Sequence, residues 1–77
     1  MDRNDPLVRQ LLEEETEFKE LYREHEELEQ KLARLDSIHY LSPEQEMERR
    51  QLQKIKLMGR DRMEIIMRQR REGAAGT

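Results

Sequence analysis

Apolar residues recur in steps of three and four along two long stretches of this chain, and one short interruption separates them. In the first stretch, Leu11, Phe18, His25 and Leu32 share one heptad position. A second heptad position holds Leu7, Glu14, Leu21, Leu28 and Leu35, with Val8 and Tyr22 alongside. Neither Gly nor Pro interrupts the run from Leu7 to Asp36, and most of its residues are strong helix formers. Asp5 suits an N-cap, because its carboxylate can accept orphan amide protons, and Pro6 suits the first helical turn. The pattern predicts a helix over about residues 5–36. On a straight helix such a seam drifts by about 20° per heptad, so keeping it against one partner requires coiled-coil-like supercoiling.

The segment Asp36-Ser37-Ile38-His39-Tyr40-Leu41 breaks the periodicity, and Ser42-Pro43-Glu44-Gln45 restarts it. Ser42 reads as an N-cap, Pro43 as the first helical residue, and Gln45 completes a capping box with the Ser42 amide. The second helix should span about residues 43–72, with Arg68, Arg70 and Arg71 complementing the negative end of its dipole and Gly73 ending it. Residues 73–77 then form a flexible tail. A short connection between two long helices favours an all-α, two-helix antiparallel hairpin, with 1–77 a single unit. If the turn centres near residues 39–40, Leu28 faces Leu52, His25 faces Ile55 and Leu21 faces Gly59. A glycine inside a helix costs about 1 kcal/mol relative to Ala. The expected reason here is room: Leu21 or Tyr22 fills the space Gly59 leaves.

The second helix is apolar over a wide arc. At about 100° per residue, Leu52, Ile55, Gly59, Met63 and Ile66 form one stripe, and Met47, Met58 and Ile65 a neighbouring one. Together they span about 160°, more than one helix contact uses. The surplus predicts self-association or a protein partner on a Met/Ile-rich face of Met47, Met58, Ile65 and Met67. Methionine suits such a surface because its side chain is flexible and polarisable.

Several of these segments resemble the YdcH-like family of small bacterial proteins, a domain of unknown function. The resemblance rests on Asp5-Pro6, Phe18-Lys19-Glu20-Leu21, His25-Glu26-Glu27-Leu28, Leu41-Ser42-Pro43-Glu44, Leu52, Lys54-Ile55-Lys56-Leu57 and Arg60-Asp61-Arg62-Met63. It runs from about residue 5 to about residue 71. It implies a helical hairpin and brings no activity, cofactor or catalytic residue. Gly59 departs from the pattern, which has a larger residue there.

Composition narrows the function further. With 34% hydrophobic and 43% charged residues in a chain of 77, a large core is out of reach. There is no cysteine, so a disulfide framework and a Cys-based zinc site are excluded. The longest apolar run, Ile65-Ile66-Met67, is far short of a membrane span, and no signal peptide is evident at the N-terminus. These features predict a cytoplasmic chain without a membrane segment. The net charge of −3 is unevenly spread: residues 1–36 carry 12 acids and 6 bases, residues 37–77 carry 6 acids and 9 bases. The two halves can therefore pair with each other.

The remaining candidates point away from catalysis. His25 lacks the Glu three residues before it that di-metal bundles use, since that position is Tyr22. It is expected to pack its ring and hydrogen-bond outward. The acids Glu13, Glu14, Glu15, Glu17 and Glu20 read as solvated helix surface, because paired catalytic carboxylates need a cleft. No enzyme activity, metal or cofactor is expected. Arg60, Arg62, Arg68, Arg70 and Arg71 are the candidate anion or RNA contacts. Asp61, Glu64 and Glu72 interleave with them, and the second helix has no aromatic residue to stack on bases.

Overall fold

The computed structural model describes residues 3–75, and these residues are all-helical where they are regular. Three helices are present where two were expected: α1, Pro6–Glu14; α2, Thr16–Asp36; and α3, Pro43–Ala75. Both predicted N-caps form. Asp5 accepts a hydrogen bond from the Leu7 amide at 2.8 Å, with Pro6 directly after it. The Ser42 hydroxyl accepts from the Gln45 amide at 3.1 Å, while the Ser42 amide donates to Gln45 Oε1 at 2.9 Å. At the other end of the connection, the Ser37 hydroxyl donates to the Arg34 carbonyl at 2.7 Å and closes α2.

The expected helix over 5–36 is broken at a single residue. Glu15 is extended (φ −113°, ψ 109°), serving as C-cap of α1 and N-cap of α2. The reversal folds α1 back along α2 and α3: Arg3 reaches Glu26 at 3.9 Å and lies 5.7 Å from the centre of the Tyr22 ring. The physical reason lies in what a straight helix would forgo. Its first turns would run on near the far end of α3, and Glu14 would sit in the apolar seam. Folding back buries Val8 and Leu11 with Phe18, Tyr22, Met63 and Met67 in one core. Burying a Val and a Leu stabilises by about 3–6 kcal/mol. The amides of residues 16–18 give up helical partners, and exposed helix N-termini can hydrogen-bond to water instead.

Across α2 and α3, Asp36 meets Arg49 at 2.8 Å, Glu29 meets Lys56 at 3.7 Å and Glu17 meets Arg62 at 2.7 Å. Residue numbers fall along α2 as they rise along α3. The register matches the expected one only in part: Asp36 and Glu29 meet α3 about one helical turn further along, at Arg49 and Lys56, than positions 44 and 51, whereas Glu17 meets it at Arg62, next to the expected position 63. The described chain measures 53 × 18 × 17 Å, its long axis close to the ~50 Å of a 33-residue helix.

Two further expectations at glycines are corrected. α3 does not end before Gly73 but continues through it to Ala75, and residues 76–77 of the expected tail lie outside the described residues. Gly59 is half-buried, yet a Cβ built on it would have nothing within 4 Å. Neither Leu21 nor Tyr22 fills that space. Gly59→Ala should therefore stabilise the protein by about 0.5–1 kcal/mol through helix propensity. In a thermal melt followed by circular dichroism this is a rise of about 2–8 °C. A fall would mean that the added methyl meets a neighbour.

Candidate interaction surface

α3 carries side chains on two faces with opposite fates. Toward α1 and α2 it buries Met63 and Met67, with Leu52, Gly59 and Ile66 half-covered. On its outer side Met47 is 63% exposed, Met58 61% and Ile65 41%. Ile55, expected opposite His25 in the helix contact, is 52% exposed and belongs to this outer face instead. At about 100° per residue, Met47, Met58 and Ile65 lie within about 20° of one another, and Ile55 about 80° away. Met67 was expected on the partner face. The structure places it in the core at 7% exposure, because it closes over Val8 and Phe18 where α1 folds back.

The acidic first half and basic second half pair as their charges suggest. Arg70 spans the break between α1 and α2, donating from Nη1 to Glu14 at 2.7 Å and from Nη2 to Glu15 at 2.9 Å. This clamp holds the Glu15 corner against α3. Of the candidate anion contacts, Arg62 is taken by Glu17 and Arg70 by Glu14 and Glu15, while Arg60 pairs with Glu64 at 3.4 Å along its own helix. Arg68 and Arg71 line a groove of about 360 Å³ with Asp5, Val8, Arg60, Glu64 and Met67. Two acids among the lining residues oppose its positive charge.

Comparison with family models, curated proteins and solved structures finds no match to this chain.

His25 is buried, and its Nε2 lies 3.0 Å from Glu29 Oε1, the same oxygen that Lys56 approaches. Its Nδ1 is buried without a partner. Among the described residues no group of three or more His, Cys, Asp or Glu is placed to hold a metal ion, and no helix is long and apolar enough to cross a membrane.

The inter-helix ion pairs make stability depend on pH. The Arg70 guanidinium, and then the Gln10 amide, hold the Glu14 carboxyl below its ordinary value of 4.5. The Arg62 guanidinium does the same for Glu17. A carboxyl whose folded-state pKa is depressed stabilises the fold above its unfolded value and loses that contribution as pH falls through the folded one. The melting temperature should therefore drop between about pH 5 and about pH 3, and Arg62→Gln with Arg70→Gln should flatten that drop. An unchanged profile in the double variant would show that these pairs do not couple to folding.

Proposed function

We propose that this protein is a non-enzymatic interaction module: α2 and α3 form an antiparallel helical hairpin that α1 braces, and the outer face of α3 binds another protein chain. The observation that supports this reading is the exposure of Met47, Ile55, Met58 and Ile65 on one side of α3, while its other side buries Met63 and Met67. Soluble proteins seldom leave such a stripe bare without a use for it. The likeness to the YdcH-like family is compatible with this role in a bacterial cytoplasm and supplies no specific activity. A second reading, an RNA- or ribosome-associated accessory protein using the arginine-rich end, is weakened because Arg62 and Arg70 already serve carboxylates of the same chain.

The two readings separate by salt and by site. Replacing Met47, Met58 and Ile65 together by Ser should abolish self-association or protein capture while helicity persists, and wild-type association should survive high salt. Binding to bulk RNA that weakens steeply with salt and vanishes in Arg68→Ala/Arg71→Ala would favour the alternative.

A further inference from the structure

The outer face of α3 carries exposed charges beside its apolar stripe. Lys54 and Asp61 are both exposed, and neither makes an ion pair within the described residues. At about 100° per residue both lie on the same flank of the Met47–Met58–Ile65 stripe, one turn before and one turn after Met58. We propose that the occupant of this face is a second copy of the chain, its α3 lying antiparallel to the first about a two-fold axis at Met58. The inference rests on the self-association reading above and adds its geometry.

Around a two-fold axis between antiparallel helices, like flanks meet, so a charged flank faces its own copy in reverse order. With the axis at Met58, the Met58 side chains pack on one another and each Gln51 lies across from the partner's Ile65. Met47 reaches the partner's Gln69. Each Lys54 then comes within one residue of the partner's Asp61, and the pair forms twice. In a parallel arrangement about a two-fold axis opposite flanks meet, so Lys54 and Asp61 would each face the partner's Ile55–Arg62 flank and form no pair with one another. The Lys54–Asp61 pair is thus available to the antiparallel orientation alone, and it sets the register as well as the direction. The contact from Met47 to Gln69 is about 33 Å long and a single helix wide. That is at the small end of specific interfaces, so the dimer forms in a concentration-dependent equilibrium.

A charge-exchange cycle followed by sedimentation equilibrium tests this, with circular dichroism confirming that each variant remains helical. Lys54→Asp and Asp61→Lys should each raise the dimer dissociation constant about tenfold, since each removes two pairs and creates two repulsions. The double variant Lys54→Asp/Asp61→Lys should return to within about twofold of wild type, and high salt should compress all the differences. A double variant as weak as the weaker single, or singles without effect, would overturn the antiparallel register. Met58→Asp tells that failure from failure of the underlying reading. If it dissociates the assembly while the charge cycle is flat, copies associate through this face in another geometry. If it too leaves the mass unchanged, the self-association reading falls as well.

Discussion

Phe18→Ala should unfold most of the molecule. Phe18 is fully buried at the meeting point of all three helices, among Val8, Leu11, Tyr22, Met63 and Met67. Removing a ring from such a site costs about 3–5 kcal/mol, through lost burial and the cavity left behind. A chain of this size has only about 4–11 kcal/mol of total stability to lose. The expected result is a urea midpoint shifted far toward zero, or no cooperative transition at all. A loss below about 1 kcal/mol would mean that α1 does not close over Phe18, and that the three-helix core is wrong.

Met67→Asp and Met58→Asp should have opposite consequences, although both methionines belong to one helix and only nine positions separate them. Met67 is 7% exposed and packs with Val8, Leu11 and Phe18, so a carboxylate there is taken out of water into an apolar core. Burying a charge in such surroundings costs several kcal/mol, and the variant should lose helicity at room temperature. Met58 is 61% exposed, so its replacement should leave monomer stability within about 0.5 kcal/mol when measured in dilute solution. Its effect should appear in the association state alone. Melting curves at low protein concentration, with a sedimentation run on each variant, decide the matter. An unfolded Met58→Asp or a robust Met67→Asp would reverse the assignment of the two faces.

What the sequence made legible was local chemistry. The Asp5-Pro6 start and the reciprocal bonds of Ser42 and Gln45 follow from side-chain length and backbone geometry a few residues apart, and they form as expected. The charge asymmetry between the halves likewise matches the pairs of Glu14, Glu15, Glu17, Glu29 and Asp36 with bases of α3. The break at Glu15 was harder to see, because no Gly or Pro marks it. Its signal was Glu14 at a seam position, within the like-charged run Glu13-Glu14-Glu15 and ahead of the β-branched Thr16. Periodicity tolerates one polar residue in a seam, and only the tertiary core shows what the chain gains by turning there. Met67 and Ile55 exchanged roles for a related reason. Adjoining stripes on a helix are told apart by the neighbour's position, and toward the connection α3 meets α2 about one turn from the symmetric turn assumed. Gly59 was read as a socket, but facing side chains do not reach it.

The central claim is that the outer face of α3 makes this chain associate with another chain. Static light scattering on the wild-type protein, from micromolar to millimolar concentration with helicity recorded in parallel, tests it most directly. The account predicts a mass that climbs from the monomer value of 9.4 kDa toward twice that value as concentration rises. A mass that stays at 9.4 kDa at millimolar concentration, with helicity fully retained, would contradict it.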